Sequence, residues 1–182
     1  MSPLEMKSLL ASTSKPFSTK SLTIFDQNSA SSELIPVHQQ GSGLIQAWDA
    51  VRTTGLFDTI KFKLNDTDHF IGNHNFTVRN TGKEDVTYSV GHKGALTAYT
   101  LNPGSNAPVP PKELDLFPRY AEVKLAESIV TVKAGQKSVV SFSVTPPASL
   151  SAWRLPIYSG FIVLRGPTGE ELSLPYLGVA GR

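Results

Sequence analysis

The sequence has no cysteine, and that one absence removes disulfide staples, thiolate nucleophiles and cysteine-ligated metal sites together. It also lacks a dominant sign of charge: 17 Lys and Arg stand against 15 Asp and Glu, a formal net charge of +2. With so weak an excess and no basic run interleaved with aromatics, nucleic acid and an anionic membrane are not expected as partners. No apolar run approaches the roughly 20 residues that cross a bilayer as a helix, so no membrane span is expected. The opening Met1-Ser2-Pro3-Leu4-Glu5-Met6-Lys7 lacks the uninterrupted apolar stretch of a signal peptide. Four histidines are present, and none of His38, His69, His74 and His92 falls in a His-x-x-x-His or His-Glu-x-x-His pattern. His69 and His74 stand near Asp66 and Asp68, but polar residues beside turns are ordinarily just solvated, so no metal ligand and no cofactor is assigned.

What is present is enough for a core. The 182 residues are 40% hydrophobic and 18% charged, which suits one domain or a modest domain with an appendage. Ser2-Pro3-Leu4-Glu5 reads as a helix start: Ser2 caps, Pro3 suits the first helical position and Glu5 completes a capping box. Leu4, Met6, Leu9 and Leu10 give that helix an apolar side before Thr13-Ser14-Lys15-Pro16 breaks it. A second helix is expected from Gly43 to Thr54, with Leu44, Ile45, Trp48 and Val51 at helical spacing and Gln46, Asp49 and Arg52 opposite. Trp48 falls on that stripe and is read as core or interface packing; Gly41-Ser42-Gly43 is a tight turn into the helix rather than an anion cradle. Residues 18–40 are Ser-rich and irregular.

From Asp58 the period changes to two. Ile60, Phe62 and Leu64 alternate with lysines and Asn65, and Val86, Tyr88 and Val90 with Thr87 and Ser89. Further runs lie at 123–125, 129–132, 140–144, 161–164 and 172–176. Asn-Thr-Gly-Lys, Lys-Ala-Gly-Gln and Gly-Pro-Thr-Gly punctuate them. Gly91-His92-Lys93-Gly94 is expected to be a hairpin turn, and Asn102 to Pro111 a Pro-rich loop. The fold class is therefore mainly β: an antiparallel immunoglobulin-like or fibronectin-III-like sandwich of about seven short strands. Asn65-Asp66-Thr67 and Asn75-Phe76-Thr77 are N-glycosylation sequons, so Asn65 and Asn75 are candidate acceptors. Trp153 precedes a strand in a loop, where packing over a sheet end competes with partner binding.

Several strings together resemble one family. Gln39-Gln40-Gly41-Ser42-Gly43-Leu44-Ile45-Gln46-Ala47 resembles the signature at the last helix of subtilisin-like serine protease catalytic domains (the peptidase S8 family), and Ser2 to Leu10 looks like the preceding helix. Leu64-Asn65-Asp66-Thr67 with Asn75 to Asn80 resembles the opening strands of the Fn3-like domain in C5a-peptidase-type and fungal extracellular subtilases. Tyr158-Ser159-Gly160-Phe161-Ile162 and Leu174-Pro175-Tyr176-Leu177-Gly178-Val179 look like its final strands.

The resemblance implies a division of the chain and a role. Residues 1–56 would be the C-terminal remnant of an α/β subtilase catalytic domain, contributing its two helices, and 58–182 the Fn3-like sandwich. The family's Asp/His/Ser triad and its Gly-Thr-Ser nucleophile motif have no counterpart here, so no catalytic residue is assigned and the chain is expected to be inactive alone. The implied function is a non-catalytic accessory part of a serine endopeptidase that is extracellular as a whole. Its partner would be the catalytic subtilase domain missing from this chain, met through Leu44, Ile45, Trp48 and Val51. A start within packed helices also implies a cut through a larger fold. The alternative is a free-standing sandwich that binds a protein or glycan ligand; a small independent hydrolase lacks any nucleophile–base pair.

Overall fold

A computed structural model describes residues 2–19, 32–110 and 115–181. Most of the Ser-rich stretch and the end of the Pro-rich loop at Pro111 lie outside the described residues.

Helix α1 (Pro3–Ser12) starts where its sequence dictates. The Glu5 N–H donates to Ser2 Oγ at 3.2 Å and the Ser2 N–H to Glu5 Oε2 at 2.7 Å. At its other end the Thr13 and Ser14 hydroxyls donate to the carbonyls of Leu9 and Leu10, at 2.8 and 2.7 Å, closing acceptors the helix leaves open. The buried face is only partly the expected apolar one: Leu9 is buried and Leu10 packs beside it. Ser8, Leu9 and Ser12 are buried while Leu4 and Met6 are exposed. Serines at the contact let the helix approach strand β1 (Gly55–Phe57) closely enough for Ser8 Oγ to donate to the Phe57 carbonyl at 2.8 Å.

The second helix is shorter than its periodicity suggests. A turn of helix, α2, covers Val37–Gln40, and α3 covers only Ala47–Arg52. The reason lies between them: Leu44 and Lys15 exchange both backbone hydrogen bonds at 2.9 Å, so the peptide groups of Leu44 are committed to a bridge. Gly43, at φ 105°, makes that approach feasible, since a Cβ there would collide with the Lys15 carbonyl. Leu44 and Ile45 therefore precede the helix, and Ala50 is the α3 residue that packs inward, against Leu9 and Leu56.

The strands form two sheets. One has four strands in the order β1, β3 (Asn73–Asn80), β8 (Lys137–Thr145), β6 (Glu122–Leu125). The other runs β2 (Phe62–Asn65), β10 (Glu171–Val179), β9 (Pro156–Arg165), β4 (Val86–Tyr99). Both β7 (Ile129–Val132) and β5 (Asp115–Phe117) pair with β4, near its opposite ends. Among the described strands every pairing is antiparallel except β2 with β10, which is parallel: residues 58–61 carry the chain from β1 to the other sheet, where β2 is an edge strand.

Alternation puts Phe62, Leu64, Phe76, Val78, Val140, Phe142 and Val144 into one core. Phe62 meets Phe142 edge-on at 4.9 Å and Phe57 meets Phe76 at 5.2 Å, ring centre to ring centre. Of the three turn strings, only Gly-Pro-Thr-Gly joins neighbours in one sheet, β9 to β10; the other two carry the chain between sheets. Asn80 holds both crossings. Its buried amide donates to the Glu84 and Val132 carbonyls at 2.7 and 3.1 Å, and its Oδ1 accepts from the Gly82 N–H.

Gly91-His92-Lys93-Gly94 is not a turn. It lies within the 14-residue β4, paired with residues 160–163 of β9. Glycine serves close approach here: a Cβ at Gly94 would stand 2.7 Å from the Tyr120 ring.

The outer face of the six-stranded sheet is not left to water. Phe161 and Val163 of β9, with Ala95, are buried under Val37 and Leu34. The Leu96 N–H donates to the Leu34 carbonyl at 2.9 Å and the Val37 N–H to Ser159 Oγ at 3.0 Å. The N-terminal segment is thus the lid of a second apolar layer.

Candidate interaction surface

Two strings that carry the family resemblance turn out to be one device. In the β9–β10 register Tyr176 stands opposite Gly160, and Gly178 opposite Tyr158. Both tyrosines are buried, and each hydroxyl lies where the facing glycine would carry its Cβ. Burial pushes the Tyr158 hydroxyl up to about 12 and raises that of Tyr176 further. These tyrosines are packing groups, and the motif is architectural.

The histidines are placed individually. His69 Nδ1 lies 2.8 Å from Asp66 Oδ1, which also accepts the His69 backbone N–H; that N–H, then the ring, holds the Asp66 carboxyl below its usual range. His74 contacts the Ile71 carbonyl at 2.8 Å. Among the described residues no group of three or more His, Asp and Glu side chains is spaced to hold a metal ion. His92 stacks on Tyr176 with Nε2 at 2.7 Å from its hydroxyl, and burial lowers its pKa to about 4. A neutral imidazole bonded to a buried phenol supports the sheet.

The surface features lie on the N-terminal side. A cleft of about 1010 Å³ opens over β2 and β10, walled by Lys7 and Ala11 of α1 and by Gly41 and Ser42, with Pro175 and Leu177 as floor. Beside the sandwich, the four residues singled out from the sequence are all exposed: Leu44 56%, Ile45 58%, Trp48 69% and Val51 85%. Trp48 is therefore not core; its indole carries the Arg52 guanidinium, 4.9 Å above the ring. Lys15 pairs with Asp49 at 3.3 Å beside it. Trp153, in a 3-10 turn at Ala152–Arg154, is 51% exposed.

Sequence reasoning missed the residue that sets that turn. Arg154 is buried with its guanidinium 3.9 Å over Tyr99, donating to the Leu101 carbonyl at 2.9 Å and to Asp115 at 3.0 Å. No local pattern marks it, because its partners lie about 40 to 55 residues away along the chain. The cleft was equally invisible, being made by four separate segments.

Asn65 and Asn75 are both exposed. Asn65 has φ 60° and donates its amide to the His69 carbonyl at 3.2 Å.

Among solved structures, the chain is similar to the PapD-like domain 7 of human CEP192, at 13% identity and a TM-score of 0.50, over 70% of this chain and 85% of that one. It also matches a chain of the CsuC–CsuE chaperone–tip adhesion subunit complex of Acinetobacter baumannii, at 15% identity and a TM-score of 0.42, over 70% of this chain. A third match, at 12% identity, is the CupB2 chaperone of Pseudomonas aeruginosa, with a TM-score of 0.40 over 66% of this chain. This chain spans 57% and 53% of the length of those two bacterial proteins. No curated protein matches it. A family model of the Fn3-like domain matches residues 62–177, from the first strand of the six-stranded sheet to the last. The sandwich and that match together place the chain in the Fn3-like domain family.

Proposed function

We propose that this chain is the non-catalytic accessory part of a subtilisin-like serine endopeptidase that acts outside the cell, with residues 58–182 as the accessory sandwich. Residues 1–56 form the seam by which the sandwich is joined to the catalytic domain. The observation that carries this reading is the exposure of Leu44, Ile45, Trp48 and Val51. The backbone around them is held in place: Leu44 is bridged to Lys15, and Ala50 is packed on Leu9 and Leu56. Large apolar side chains fixed in water on an anchored segment mark a surface that a partner covers. The ordered subtilase-like strings add the chemistry of that partner, since Leu44 and Ile45 sit inside the string resembling the last catalytic-domain helix and Trp48 and Val51 follow it. The test is the coding DNA that precedes Met1. Translation, with introns and frameshifts allowed, is expected to yield Gly-Thr-Ser-Met-Ala or a close variant, then the family's His and Asp motifs further upstream. An unrelated gene there overturns the reading in favour of a free-standing protein- or glycan-binding module.

A further inference from the structure

The outer faces of the two sheets differ in kind: the six-stranded one is roofed by Leu34 and Val37, whereas the four-stranded one, covered by α1 and α3 at its β1 edge, is polar and open over β3 and β8. On β3 the residues facing outward are Asn73, Asn75 and Thr77, and across the ladder Asn75 stands opposite Ser141 of β8. Asparagine is among the residues strands disfavour, because its amide competes for backbone partners and packs poorly on a pleated surface. Asn73 and Asn75 nonetheless sit in the strand. Asn75 is exposed and its side chain makes no hydrogen bond among the described residues. Nothing in the fold accounts for an asparagine at that position. At Asn65 the fold does account for it, since φ 60° is a conformation asparagine tolerates and its amide bonds the His69 carbonyl.

We infer that Asn75 is an N-glycosylation acceptor, its sugar lying over the open face of the four-stranded sheet; the inference rests on the reading of the chain as part of an exported enzyme. Asn75 and Thr77 share one face by the period of two, so the acceptor amide and the hydroxyl that defines the sequon project together. The transfer forms a bond between Asn75 Nδ2 and C1 of an oligosaccharide and breaks the bond from C1 to the diphosphate of a lipid-linked donor. The departing lipid diphosphate keeps that electron pair, and the transferase takes one amide proton. The face has room for the product: a hollow of about 460 Å³ lies beside Asn75, between Lys124 and Ser143. It also offers a contact. Val139, paired with Thr77, is 59% exposed, and a proximal sugar would cover it.

The test uses the full chain behind a cleavable leader in a eukaryotic secretory host. Both retained and secreted material are read, because the sugar is added on entry to the lumen. One mobility step removed by peptide-N-glycosidase is expected, kept by Asn65→Gln and Thr77→Ser and lost in Asn75→Gln and Thr77→Val. Glycopeptide mass spectrometry of the unmodified sequence locates the sugar without relying on any variant. A folded chain with no step, or with its sugar on Asn65 alone, overturns the inference. The coding DNA upstream decides the subtilase reading separately, so a sugar-free chain beneath a Gly-Thr-Ser motif refutes only the acceptor.

Discussion

Tyr176 crosses Gly160 as Tyr158 crosses Gly178, so these four positions can hold nothing bulkier without moving a buried ring. A Cβ at Gly160 would meet Tyr176 Oη at 2.5 Å and the Lys93 carbonyl at 2.7 Å, and the carbonyl belongs to a paired strand that cannot retreat. Gly160→Ala is expected to cost about 1–3 kcal/mol in denaturant unfolding, the range of an overpacked core. His92 sets a second expectation. Burial lowers its pKa from 6.5 to about 4, so the unfolded chain takes up the proton first. Stability from this group is complete above pH 6.5 and falls as pH drops toward 4, by about 3 kcal/mol in all. His92→Gln should flatten unfolding free energy across that window. Glu171 adds its own loss only at lower pH: burial opposes its ionisation, but Lys93 and Arg165 hold its carboxyl below the ordinary range.

At the scale of elements, β9 explains the N-terminal segment. Its run Phe161-Ile162-Val163-Leu164 is buried on both faces, Ile162 and Leu164 in the sandwich core and Phe161 and Val163 beneath Leu34 and Val37. A continuous apolar run is the mark of a strand covered twice, so this signal was in the sequence; what covered it was not. A chain beginning at Thr54 should fold, because the inner core is intact, yet expose Phe161 and Val163. It is expected to self-associate in sedimentation and to bind a hydrophobic dye, with Phe161→Thr and Val163→Thr together restoring the monomer. A dye-silent truncated monomer would mean that the lid contributes nothing to solubility. The helix expected from Gly43 to Thr54 teaches the converse. Its apolar spacing was genuine, but the Lys15–Leu44 bridge claimed the first residues and left α3 with six.

For the whole molecule, the open face over β3 and β8, the roofed face and the exposed side chains of Leu44, Ile45, Trp48 and Val51 are three different environments. Side chains that touch little in the fold can be changed at little cost to it. Trp48→Gln with Val51→Gln should alter stability by under about 0.5 kcal/mol, since the Arg52 contact is the packing that Trp48 contributes. If the proposed reading holds, the same pair should weaken association with a subtilase catalytic part by about tenfold or more, as removal of a large aromatic anchor does. Titration calorimetry and thermal unfolding together separate the two effects.

The sequence by itself determined the capped start of α1, the period of two from Asp58 onward and the glycines of the turns at 135 and 169. Each is a local matter, fixed by backbone sterics and by which side chains a short segment can bury. Only the tertiary structure decided that Gly91 to Gly94 is strand rather than turn, that β2 runs parallel to β10, and that Arg154 is a buried anchor. Those outcomes depend on residues far along the chain, Tyr120 over Gly94 and Asp115 beside Arg154, whose approach is set by closing the two sheets on one another. The exposure of Leu44, Ile45, Trp48 and Val51 is of the same kind: helical spacing shows which side chains share a face, and only packing decides whether this chain covers it.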